Sequence, residues 1–174
     1  MSPLRLLSCL FVLFALASCS LFKNKLPEPV FRSAVKELPA GGTTVMVWTI
    51  EHHSDYVGQE DKKAEQEAIQ WLQEHGLIVV SRIQIEKVLE DLESTDPGSV
   101  LVVGKRTGAQ QVILLQAYSD RVMVRGVNTE TGVMAWSGTG ESRASLEETN
   151  DWERAHGRTS LIRKTLDAIW KTKR

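Results

Sequence analysis

From Gln111 onward the hydrophobic period of the chain is two, and no other feature narrows its possible architectures as much. Gln111–Tyr118, Arg121–Val127 and Val133–Gly138 alternate or run apolar over strand lengths, with β-branched residues throughout. Ser119-Asp120 is a tight turn between the first two, and Asn128-Thr129-Glu130-Thr131-Gly132 links the second to the third. Gly132 suits the left-handed position that closes such a loop. Connections this short join antiparallel neighbours, so a three-stranded meander is predicted. Its apolar faces then have to be covered by the rest of the chain.

The covering elements are legible upstream and downstream. Thr44–Ile50 is a β-branched run with the composition of a buried strand, followed by a polar loop holding His52, His53 and Gly58. Glu60–His75 repeats Ala64, Ala68, Trp71 and Leu72 at helical spacing, starts on acidic residues and stops at Gly76. Leu77–Val80 is a short strand. Ser81 caps a second helix with Ile83, Ile85, Val88, Leu89 and Leu92 on one side, broken by Ser94–Gly98. Val100–Lys105 fits strand or helix by pattern, and helix is the assignment made. Asp151–Thr172 is a long helix with Leu161, Ile162, Leu166, Ile169 and Trp170 on its apolar face. The order β-α-β-α-α-β-β-β-α predicts an α+β fold, helices packed on a mixed sheet as an α/β/α-like sandwich.

The N-terminal end predicts a different fate. Leu6–Leu16 is almost wholly apolar, follows Arg5, and leads through Ala17-Ser18 to Cys19, the layout of a secretory signal segment. About 20 apolar residues are needed to span a bilayer, and this run has about half that. Residues 1–18 are expected to be removed. Residues 19–42, with Pro27, Pro29 and Pro39 and ending at Gly41-Gly42, read as a tether, and residues 43–174 as one domain. About 20 tether residues reach at most ~65 Å, and nearer ~25 Å as a coil. Cys9 leaves with the signal segment, so neither a disulfide framework nor a cysteine metal site is expected. The net charge is −1, with 21 basic against 22 acidic residues, and Arg5 also departs. That balance disfavours nucleic acid as a partner.

The chemistry-bearing residues assemble no known catalytic pattern. Gly98–Arg106 (GSVLVVGKR) fails as a phosphate loop: five residues separate its glycines and Arg106 stands where Ser or Thr must follow the lysine. His52-His53 on an extended segment face opposite ways, and no third ligand stands at diagnostic spacing. His75 and His156 read as surface residues on helices. Ser81, Ser137 and Ser145 lack a nucleophile signature. The acids Glu90-Asp91, Glu93 and Glu147-Glu148 read as solvated helix faces. A non-enzyme without cofactor or metal is the expectation. Of five tryptophans, Trp48, Trp71, Trp136 and Trp170 read as core. Trp152, beside Asn150, Asp151, Glu153 and Arg154, reads either as a subunit or lipid-headgroup contact or as an N-terminal staple on the last helix.

Several stretches together resemble one family. Leu16-Ala17-Ser18-Cys19 resembles the lipobox of bacterial lipoproteins. V-M-V-W, L-I-V-V-S-R, I-E-K-V-L-E-D-L, G-K-R-T-G-A-Q-Q-V-I-L-L-Q-A and V-N-T-E-T-G-V-M-A-W-S follow in an order similar to the CsgG, PelC and LpoB group of envelope lipoproteins. The resemblance implies a diacylglycerol-modified Cys19 anchoring the chain at the periplasmic face of the outer membrane, a location that Ser20 also matches. It implies a non-enzymatic accessory in envelope assembly or export. The loops at Glu51–Glu60 and Ser94–Gly98 are too short and polar to line a pore as in CsgG, since a spanning strand needs about 9 to 11 residues. The short tether separates the chain from LpoB-like activators of peptidoglycan synthases, the alternative role. The closest likeness is to PelC: a homo-oligomeric ring or collar beneath the outer membrane that assists an export channel for an extracellular polysaccharide.

Overall fold

The computed structural model describes residues 29–50, 58–92, 99–118, 121–142 and 151–172. Six strands form one sheet: β1 (Val30–Val35), β2 (Thr44–Thr49), β3 (Ile78–Val79), β4 (Gln111–Ala117), β5 (Arg121–Asn128) and β6 (Met134–Glu141). Their order is β1-β6-β5-β4-β2-β3. β2 is parallel to both β3 and β4, and the remaining pairs are antiparallel. Four helices pack on it: α1 (Gly58–Glu74), α2 (Arg82–Glu90), α3 (Ser99–Arg106) and α4 (Asp151–Lys171). The class is α+β with a mixed sheet, and β4-β5-β6 is the predicted meander. Val100–Lys105 lies within the helix α3, as assigned from sequence.

Strand alternation divides the core in two. On one face Val45, Val47, Ile113, Leu115, Val122, Val124 and Trp136 meet α1 and α4. The helices answer with Ala64, Ala68, Trp71 and Leu72, and with Leu161, Ile162, Leu166 and Ile169, all buried. Those of α1 fall at i, i+4, i+7, i+8 and those of α4 at i, i+1, i+5, i+8, each an amphipathic stripe. On the other face Met46 and Val112 pack with Val80, Ile85 of α2, Val103 of α3 and Ala109. The result is the α/β/α sandwich. Ser81 begins α2 with a reciprocal capping box: its Oγ accepts from Gln84 N–H, and its own N–H donates to Gln84 Oε1 at 3.2 Å.

One strand was not foreseen. Residues 30–35 fall inside the segment assigned to the tether, yet they pair antiparallel with β6 from Val30↔Glu141 to Val35↔Trp136. In VFRSAV, Phe31 and Val35 pack against the core, while Arg32, Ser33 and Ala34 are exposed. The flanking prolines and the lack of regular alternation hid this strand in the sequence. The sheet therefore takes in part of the tether, leaving about ten residues between Cys19 and Val30, which span at most ~35 Å.

Candidate functional site

Because β6, β5 and β4 lie between β1 and β2 in the sheet, the β1–β2 connection must cross beneath their ends. It does so through Lys36 to Thr43, fastened where the N–H groups of Lys36 and Glu37 both donate to Ala135 O, at 2.9 and 3.1 Å. Leu38 is buried and acts as the plug of this crossing. Between the connection and the strand ends a groove of about 580 Å³ remains, a size typical of small-ligand sites. A second hollow of about 350 Å³ adjoins it and shares Gln110 and Asn128 with it.

The lining of the larger groove mixes neutral polar side chains with apolar ones. Asn128 organises the β5–β6 loop: its Oδ1 accepts from Glu130 N–H and Thr131 N–H, both at 3.0 Å, an Asx turn. Gln110 Oε1 accepts from Thr44 N–H at 3.2 Å. Thr129 is buried, and its hydroxyl reaches Ala109 O at 2.6 Å, tying the loop to the head of β4. Lys36 and Glu37 offset one another in charge. At the lip, Val133 and Met134 are adjacent apolar residues 54% and 44% exposed.

Gln111 stands apart from the rest. It lines the groove, yet it is 7% exposed. Trp136 Nε1–H donates to its Oε1 at 2.9 Å, which fixes the amide orientation. The indole reaches it by crossing β5 directly over Gly126, its cross-strand partner. A Cβ at that position would collide with three atoms of the ring. Among the described residues none accepts a hydrogen bond from Gln111 Nε2.

Trp136 continues into an aromatic chain. Trp170 meets it edge-on at 5.3 Å, Trp71 meets Trp170 at 4.9 Å, and His75 stacks on Trp71 at 3.5 Å. Trp71 Nε1–H donates to Asp167 Oδ1 at 3.0 Å. Beside this chain Arg163 of α4 binds Glu67 and Glu74 of α1 at 2.6 and 2.8 Å. Its hydrogen bonds, helped by one from Gln70, hold the Glu74 carboxyl below the usual range, while the two glutamates raise the guanidinium still higher.

Cys19 lies outside the described residues. Trp152 falls in the first turn of α4, and its side chain lies outside the described ones. His52 and His53 are also outside them, as are the side chains of His156, Ser145 and Glu147-Glu148. Ser81 is a helix cap, and His75 is exposed but stacked. Among the described residues no three His, Cys, Asp or Glu side chains converge as metal ligands would, and no helix is long and apolar enough to cross a membrane. The groove was missed from sequence. Its one sequence signal is Gln111, a polar residue at an inward position of an otherwise apolar strand, in phase with Ile113 and Leu115.

No protein-family model and no curated protein matches the sequence. Solved structures do. A PelC dodecamer from Paraburkholderia phytofirmans aligns with TM-score 0.53 and 19% identity, over 79% of this chain and 95% of that one. A second crystal form of that dodecamer gives 0.51 and 16%, over 81% and 97%. The C-terminal domain of LpoB from Salmonella enterica gives 0.47 and 16%, over 60% and 86%. At these identities the shared property is the fold: this chain is built on the same α+β frame as the PelC subunit.

Proposed function

We propose that this chain is a lipid-anchored accessory protein of the bacterial envelope. In this reading it assists, without catalysis, the export of an extracellular polysaccharide as a homo-oligomeric collar. The observation that carries the reading is the fold match to the PelC dodecamer subunit, which spans 95% of that chain. Leu16-Ala17-Ser18-Cys19 supports it by providing an anchoring cysteine, and the covalent lipid is the only added group the reading needs. About ten residues separate Cys19 from β1, so the folded body stays close to the periplasmic face of the outer membrane. Its partners are the outer membrane, further copies of the chain, an export channel and the polymer.

Three measurements test the reading. Metabolic labelling with palmitate marks the wild-type chain and leaves Cys19→Ala unmarked and released from membranes. Native mass spectrometry shows a closed high-order oligomer; a strict monomer at high concentration turns the assignment toward an activator of a cell-wall synthase. Deleting the chain abolishes polymer secretion and leaves the bulk cell wall intact.

A further inference from the structure

The groove at the base of the sheet holds a buried amide with one arm committed and the other unused. Gln111 is 7% exposed, its Oε1 is taken by the Trp136 indole, and no described residue accepts from its Nε2. A buried donor left without a partner costs about 1–3 kcal/mol, so a fold retains one where something outside the chain completes it. Gln111 lines a groove of about 580 Å³, which is where that partner has room to sit.

We propose that this groove is a saccharide-binding subsite, with Gln111 Nε2 donating to an oxygen of a neutral, hydroxyl-rich sugar unit. The proposal rests on the export reading and adds to it the place where the polymer is held. The lining matches the two sides of a sugar ring. The amide nitrogens of Gln110 and Asn128 and the hydroxyl of Thr43 offer neutral polar groups to its hydroxyls, the Asn128 oxygen and the Thr131 hydroxyl being engaged within the β5–β6 loop, and the exposed Val133 and Met134 offer an apolar lip to its C–H face. Lys36 and Glu37 cancel in charge, so nothing in the groove selects an ion over a neutral ligand. The location is also suitable. β1 runs from Val30, next to the anchor segment, to Val35, where the connection enters the groove, so the groove sits about 20 Å along the sheet from the anchored end. On the lipid-anchored reading the groove end is the one turned away from the membrane, toward a polymer arriving from the periplasm.

The test titrates the mature lipidated chain in detergent with chitotriose, with maltotriose and with the capped tripeptide Ac-Ala-Leu-Ala-NH2, followed by calorimetry. At least one of the two sugars binds at millimolar concentration. Gln111→Glu keeps an acceptor for the indole but loses the donor, and weakens that binding at least tenfold. Ala40→Arg, at an exposed position on the rim, blocks it without touching the core and carries the test if Gln111→Glu fails to fold. Failure of both sugars overturns the proposal, as does binding of the tripeptide alone, which makes the groove a peptide dock. Undiminished sugar binding in Ala40→Arg also overturns it. Secretion by a deletion strain is scored separately. Continued secretion overturns the export reading whatever the titration gives, and lost secretion with silent titrations overturns the subsite alone.

Discussion

Gly126 and Trp136 form a cross-strand pair in which one residue has no side chain so that the other can lie flat. The indole occupies the space a Cβ at Gly126 would fill, and this brings Nε1 to Gln111 two strands away from its own backbone. Gly126→Ala forces a rigid buried ring out of place and is expected to cost about 1–3 kcal/mol, read by urea denaturation. The tryptophan emission should shift as well, since the ring moves. Trp136→Phe keeps the packing but leaves the Gln111 amide without its buried partner, a loss of similar size, about 1–3 kcal/mol. If Gly126→Ala left stability unchanged, the indole would have room that the packing denies it.

Between elements, the sheet is extended by β1 and the helices are clamped by Arg163. Phe31 and Val35 supply the inward face of β1 and Arg32 the outward face. Phe31→Asp should therefore cost about 2 kcal/mol or more, while Arg32→Glu stays within about 0.5 kcal/mol. Equal effects in thermal melts would show that the inward face is not what holds this edge. The clamp gives a pH signature. Glu74 is held below the ordinary carboxylate range first by its hydrogen bonds from Arg163 and then by that from Gln70. Its contribution is present above that range and is lost as pH falls through the depressed folded value. Melts of wild type and Arg163→Gln should differ near neutral pH and converge in acid. The difference should stay small, because the pair is solvent-screened. The rest of the element pattern was largely open to sequence reasoning. The helix stripe through Ala64, Ala68, Trp71 and Leu72 and the capping box at Ser81-Gln84 are local patterns, and so was the meander. What escaped was non-local. β1 exists only because β6 offers it an edge, and the groove only because the crossing of β1 to β2 passes under Gln111 and Asn128.

At the scale of the molecule, the register gives the body two ends. The chain enters the sheet at Val30, opposite Glu141, and the groove lies at the far ends of the same strands. α4 runs along the sheet so that Gly138 faces Ile169 and Gly140 faces Thr165 and Leu161. Going back along the helix from Leu161 leads past Glu141, the last residue of β6. The ten residues from Asp151 to Ser160 then carry the helix about 15 Å further in that direction. The first turn of α4, which includes Trp152, therefore lies toward the same end as the segment leading to Cys19. On the lipid-anchored reading, that puts the turn carrying Trp152, with Asp151, Glu153 and Arg154 beside it in sequence, on the membrane side of the body, and amphipathic rings are favoured at headgroup level. Trp152→Ala should then leave the melting temperature nearly unchanged, because among the described side chains the packing of α4 on the sheet is carried by Leu161, Ile162, Leu166 and Ile169. It should weaken co-sedimentation of the lipidated chain with vesicles, or shift its oligomer distribution in native mass spectrometry. A fall of several degrees in the melt with unchanged membrane binding and assembly would instead make Trp152 a staple closing the start of the helix.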